Sequence, residues 1–200
     1  MFSSCCGVDL TLAGLRAEGV SYLLVGATES RSDCRAVVLQ CEPSLPAVHF
    51  YHDAGAPSAV RDSPECDAFF LTSPCQPVSD SNQHITEASA DAALDMLISH
   101  ASYLEHHNPS FVFIENVTGL QSSDRLRILV GFNSYWTTRF GRWAWQSGVF
   151  CPSTFDGPCT RPRIIWVGRL RKRPAHAGAP PAEVSMSARL DAPVFSLQSV

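Results

Sequence analysis

The sequence predicts an α/β protein built on a mostly parallel, doubly wound sheet with helices on both faces. Short apolar runs bounded by turn formers recur along the chain, and segments of helical spacing lie between them. The length of 200 residues suits one domain with a sizeable core, and no internal repeat interrupts the alternation.

The elements follow in order. Gly7 to Gly19 carries Leu10, Leu12, Ala13, Leu15 and Ala17, a short helix stopped by Gly19. Tyr22 to Ala27 is a buried strand with Glu29 just past its end, and Asp33 to Gln40 fits a second helix. Val48 to Tyr51 is a third short strand, followed by Asp53 and a Gly/Pro turn. Ala68 to Leu71 is an apolar strand, and Ala88 to Glu105 has the clearest helical spacing in the chain. Phe111 to Ile114 is a strand running into Glu115-Asn116-Val117. A helix is expected over Ser123 to Val130, an alternating strand over Trp143 to Phe150 and a last strand over Ile164 to Gly168. From Arg173 onward, prolines and small residues without periodicity predict a disordered tail, so the expected division is a domain over 1–170 and a tail over 171–200.

Composition excludes several classes. No apolar run is long enough to span a bilayer, and Met1-Phe2-Ser3-Ser4-Cys5-Cys6-Gly7 lacks the basic-then-apolar pattern of a signal peptide. The expectation is an intracellular protein without membrane partners, nuclear in a eukaryote and otherwise cytoplasmic. Its eight cysteines are then thiols rather than a disulfide framework. None forms a Cys-x-x-Cys pair, so no metal site is expected. Charge is unevenly spread: residues 1–119 hold 4 arginines against 15 acids, while residues 120–173 hold 10 Arg/Lys against Asp124 and Asp156. That split points to an anionic partner for the second part, nucleic acid foremost, with a solvated basic face as the competing explanation.

Chemistry centres on Leu71-Thr72-Ser73-Pro74-Cys75-Gln76-Pro77-Val78-Ser79, which puts a thiol at the carboxyl end of a strand, the edge where open α/β sheets bind ligands. Taken alone, a cysteine there is more often a packing residue. Three stretches in one order change that weighting: Ser73-Pro74-Cys75-Gln76, Phe113-Ile114-Glu115-Asn116-Val117, and Arg161-Pro162-Arg163 leading into Ile164-Ile165-Trp166-Val167-Gly168. Together they resemble the cytosine-C5 DNA methyltransferase family over roughly residues 2–170.

The resemblance implies a sheet of the S-adenosylmethionine-dependent methyltransferase type, incomplete at both ends. It implies methyl transfer from S-adenosylmethionine to C5 of a cytosine flipped out of DNA. Cys75 would be the nucleophile that adds to C6. Glu115 would hydrogen-bond the N3 and N4 edge of the base, a role favoured by a raised pKa. Asn116 would shape the loop, and Arg161 and Arg163 would contact base, phosphates and loop. For the cofactor, Phe2 would lie against the adenine, Glu29 would bind the ribose hydroxyls and Asp53 the adenine amino group; Gly7 and Pro74 are assigned there too.

The sequence departs from the family pattern in places. Ser4 and Cys6 stand where the first loop has glycines, and a Cβ at either restricts positive φ. Ser73 replaces a proline, and the strand that leads into the first loop is expected to be missing. No target-recognition domain is expected after Gly168, so the resemblance implies a second chain supplying target recognition as a partner. A catalytically inactive remnant that binds nucleic acid or protein is the alternative function.

Overall fold

The computed structural model describes residues 1–7, 10–43, 45–46, 49–51, 57–74, 86, 88, 91–92, 95, 98–121, 126–151, 153 and 160–171. Its strands are β1 (Phe2–Ser4), β2 (Gly26–Thr28), β3 (Phe50–Tyr51), β4 (Ala68–Thr72), β5 (Phe111–Val117), β6 (Trp143–Phe150) and β7 (Arg163–Leu170). The helices are α1 (Leu10–Ala17), α2 (Ser32–Cys41), α3 (Pro57–Asp62), α4 (Ala101–His107) and α5 (Leu126–Arg139), with a 3-10 turn over Thr118–Gln121. The strands form one sheet in the order β3-β2-β1-β4-β5-β7-β6. Neighbours from β3 to β5 are parallel, and β7 is antiparallel to both β5 and β6. The mostly parallel sheet is therefore as expected, with β7 inserted in reverse.

That reversal positions the site. The carboxyl ends of β1, β2, β4 and β5 share one edge with the amino end of β7, where Val117 pairs with Arg163. The strand order changes direction between β1 and β4, which opens the crevice typical of ligand sites in such sheets.

Several bounds differ from expectation. Phe2–Ser4 is a strand at the middle of the sheet, paired with Gly26–Ala27 and Phe69–Leu71, so the strand expected to be missing is present as β1. β2 begins at Gly26 rather than Tyr22, because its neighbours β1 and β3 offer only three and two residues. β5 runs on to Val117 because β7 pairs with it through Arg163. Of the helix expected over Ala88 to Glu105, α4 is the second part, and His100 stands in a turn before it. The helix expected at Ser123–Val130 extends to Arg139 as α5, despite poor helix formers such as Gly131 and Asn133. Core packing wins there: Trp136 stacks on Phe140 with ring centroids 4.7 Å apart, and both are buried. α3 occupies part of the expected Gly/Pro turn, with Pro57 in its first turn, where a missing N–H costs nothing. The tail expected from residue 171 lies, but for Arg171, outside the described residues.

Two cores flank these elements. One gathers Phe2, Phe69, Tyr103, Ile114, Trp136 and Trp143 with their neighbours from α4 and α5; the other gathers Leu12, Ala27, Val38 and Phe50 from α1, α2, β2 and β3, with Leu24 just before β2. α1 ends as the sequence suggested: Gly19 has φ +69°, its amide donates to the Arg16 carbonyl, and Val20 N donates to Leu15 O at 2.9 Å. Gly26 is required for a different reason. A Cβ there would stand 2.5 Å from the Phe2 ring, so only glycine lets that ring close over β2.

Candidate active site

Four elements deliver side chains to the carboxyl edge. From β5, Glu115 faces the amino end of β7, and its carboxylate is ion-paired with the Arg163 guanidinium. Both side chains are about one-fifth exposed, at 23% and 20%. Burial pushes the Glu115 carboxyl above the ordinary carboxylate range, and the charges of Arg163 and Arg161 pull it back only in part. A carboxyl of this kind takes up a proton more readily than an exposed one, while its guanidinium neighbour fixes its orientation. Arg161 is exposed beside it, and Arg163 also donates from Nη1 to Pro162 O at 2.9 Å.

Asn116, the next residue, is buried and turns the other way. Its Nδ2 donates to the Ser73 hydroxyl at 2.9 Å, and its Oδ1 accepts from Val117 N at 2.8 Å. The end of β5 is thereby bonded to the residue two before Cys75. Ser73 supplies an acceptor that a proline side chain could not. Pro74 follows at the surface. Cys75 itself lies outside the described residues, as does Asp53.

Across the crevice, the turn after β1 is held by side chains of Thr28, the last residue of β2, and of Glu29 just past it. Ser4 Oγ and Thr28 Oγ1, both buried, are 2.9 Å apart, and the Cys5 amide donates to Thr28 Oγ1 at 3.0 Å. Gly7 N donates to Glu29 Oε2 at 2.7 Å, while Glu29 Oε1 accepts from Arg31 N at 2.9 Å. From β4, the Thr72 hydroxyl donates to Cys5 O at 3.0 Å and ties the turn to the strand that leads into Cys75. The glycine replacements are accommodated. Among the described residues of this turn, positive φ falls on Cys5 and Gly7, not on Ser4 or Cys6.

Glu29, Gly7, Pro74, Glu115, Arg161 and Arg163 thus share one edge. Phe2 does not offer its ring there: it is 0% exposed, packed against Tyr103 and Phe69 in the core, which leaves no surface for an adenine. Thr28 and Thr72 were not foreseen as site residues. Their only sequence signal is a hydroxyl at the last position of a strand that ends at the ligand edge.

A family model described as C-5 cytosine-specific DNA methylase matches residues 1–194. The chain belongs to that family. Among solved structures, the Dnmt2 methyltransferase of S. pombe superposes with a TM-score of 0.59 at 14% identity, covering 86% of this chain and 49% of that one. A Spodoptera frugiperda DNMT2 variant gives 0.56 at 15%, covering 86% and 50%. The Entamoeba histolytica methyltransferase EhMeth gives 0.55 at 17%, covering 85% and 52%. These likenesses establish the methyltransferase fold, and the chain spans about half the length of the structures it matches. A search of curated proteins found no match.

Proposed function

We propose that this cytosine-C5 methylase family chain provides the cofactor-binding and nucleophile portion of a DNA cytosine-C5 methyltransferase, working through a covalent Cys75 intermediate. The observation that carries the reading is the end of β5. One residue there, Glu115, is a partly buried carboxyl with a raised pKa beside two arginines, and the next, Asn116, is bonded to Ser73, two residues before Cys75.

The residue roles follow from that arrangement. C5 of cytosine is a weak nucleophile, so addition of the Cys75 thiolate to C6 would raise electron density at C5. Glu115, holding its proton, would donate to N3 of the base and offset the charge that develops on the ring. Arg163 would keep the carboxyl aimed, and Arg161, exposed at the rim, would meet phosphate. The cytosine would have to leave the duplex to reach this edge.

S-adenosylmethionine supplies the electrophilic methyl group. The residues present fit it. Glu29 uses its carboxylate to accept two backbone amides, and a carboxylate has lone pairs left for ribose hydroxyls. Among the described residues, nothing lies within 4 Å of where a Cβ at Gly7 would stand, which leaves room beside the turn for a ligand. Pro74 would border the same space, and Asp53 is assigned to the adenine amino group. Reading of a target sequence is assigned to protein beyond these residues, such as a second chain in a split enzyme.

Oligonucleotides containing 5-fluorocytosine test the proposal with added S-adenosylmethionine. A denaturation-resistant adduct is expected with the full chain and its recognition partner, and Cys75→Ala should abolish it. If no adduct forms and calorimetry detects no cofactor binding, the enzymatic reading fails.

A further inference from the structure

Cys5 has no part in the chemistry above, yet its thiol is placed with unusual care. It is the first residue past β1, half-buried, and held in the left-handed region at φ 54°. Its amide donates to Thr28 Oγ1 and its carbonyl accepts from Thr72 Oγ1, both at 3.0 Å, so its backbone is fixed on both sides. Its Sγ lies 3.7 Å from Nε2 of His100, whose ring is 2% exposed in the turn before α4. On the far side of that ring, Nδ1 is 3.5 Å from the Ser99 hydroxyl. The residue packs against the main core, and its sulfur also meets a polar group, the His100 imidazole, which an ordinary packing cysteine would not need. An imidazole in contact with a thiol can take its proton and leave the nucleophilic thiolate.

We propose that Cys5 and His100 form a second reactive-thiol site that exchanges with low-molecular-weight disulfides, and that the modified Cys5 blocks the cofactor turn. In the exchange, His100 Nε2 accepts the Cys5 proton and the thiolate attacks one sulfur of the small disulfide. The bond between the two small-molecule sulfurs breaks as the bond to Cys5 forms. The departing thiolate takes the proton from His100 and leaves as a thiol. One protein thiol is oxidised to a mixed disulfide while half of the small disulfide is reduced. The exchange stands on its own geometry. Its effect on cofactor binding rests on the reading of Gly7 and Glu29 above, since Gly7 is two residues from Cys5.

Oxidised glutathione and the reduced full chain provide the test, with adducts located by peptide mass spectrometry and N-acetylcysteine as a model thiol. Among the described residues, His100 meets the Cys5 thiol, Glu29 holds the turn through the Gly7 amide, Cys6 is a second thiol in the turn, and β4 brings the Thr72 hydroxyl. Between pH 7 and pH 6 the model thiol should slow about tenfold, as an ordinary thiol does below its pKa. Labelling of Cys5 should slow by less than about threefold if a proton acceptor is in place. His100→Gln should slow Cys5 labelling by about tenfold or more at pH 7. Labelling that tracks the model thiol across pH, or a native chain that does not label at Cys5, overturns the proposal. If His100→Gln does not fold, the pH comparison on the unmodified sequence decides alone.

Calorimetry separates the second claim. Glutathionylated chain should lose S-adenosylmethionine binding, and Cys5→Ser should keep it through the same treatment. Retained binding by the glutathionylated chain overturns the blocking step. Absence of binding before any treatment overturns the cofactor reading instead and leaves the thiol exchange standing.

Discussion

From β5 through β7 to β6 the sheet is a long ladder of strands with seven or eight residues, whereas β1 and β2 have three residues each and β3 has two. In the long region, continuous backbone pairing sets where side chains stand, so Glu115 and Arg163 meet because Val117 pairs with Arg163 and Glu115 with Ile165. In the short region the relation is inverted. Side chains hold the backbone: Thr28 and Glu29 bind the turn after β1, and the Phe2 ring closes over Gly26. A region held by a few side chains can absorb Ser4 in place of a glycine, provided a partner such as Thr28 satisfies the new hydroxyl. Such a region should also be the more fragile under single substitutions.

The largest test of that contrast is Phe2→Ala. The ring is fully buried, with the Tyr103 centroid 4.5 Å away and the Phe69 centroid 6.0 Å away. Truncation should cost about 3–5 kcal/mol, measured by urea titration. A loss below about 1 kcal/mol would mean that the short strands do not depend on this ring.

Thr28→Val is the next step down. It keeps the volume and the backbone bond from Cys6 N to Thr28 O, but strips the acceptor from Cys5 N and the partner from the buried Ser4 hydroxyl. The expected cost is about 1–3 kcal/mol, with faster hydrogen exchange at the Cys5 amide. An unchanged exchange rate at Cys5 would show that the Thr28 hydroxyl is not what protects that amide.

Within the long region, Glu115→Gln tests the electrostatics. Burial raises the folded pKa of Glu115 above its unfolded value, so the folded chain binds this proton more tightly. The stability gained is fully present below the ordinary carboxylate value and is lost as pH rises through the raised folded one. The unsubstituted chain should therefore lose stability relative to Glu115→Gln as pH is raised across that window. A difference in thermal midpoint that stays flat with pH would show that pairing with Arg163 cancels burial.

The same contrast explains what the sequence made legible. β4, β5, β6 and β7 carry dense apolar or alternating patterns, and the bounds of β6 agree with expectation at both ends. β1 did not stand out, because three residues are too few to show a period and their identity as a strand comes from partners 24 and 67 residues away. The motif residues Glu115, Arg161 and Arg163 could be picked out individually. What could not be read was the direction of β7: a motif at the start of a strand reaches the same edge as motifs at the ends of others only when that strand is reversed. The bond from Asn116 to Ser73 is similarly a product of folding, since it joins residues 43 apart.

That reversal also yields the smallest predicted effect. Arg169 and Arg171 lie in the basic stretch whose charge pointed to an anionic partner. Both are exposed near the far end of β7, with Arg169 paired to Phe111 at the start of β5 and Arg171 N donating to Arg142 O. Six residues separate Arg169 from Arg163, so at about 3.3 Å per residue the two stand roughly 20 Å apart along the strand. Phosphates that Arg161 would meet under the proposed function would be beyond the reach of Arg169. The double substitution Arg169→Ala and Arg171→Ala should change stability by less than about 0.5 kcal/mol. It should also leave adduct formation with 5-fluorocytosine DNA within about twofold, because contacts at one edge leave those at the other in place. Arg161→Ala should weaken binding at that edge and flatten its dependence on salt by about one counterion. If the double substitution instead weakened adduct formation as much as Arg161→Ala does, the nucleic acid would have to run along β7 to the opposite edge, and the confinement of the site to one end of the sheet would be lost.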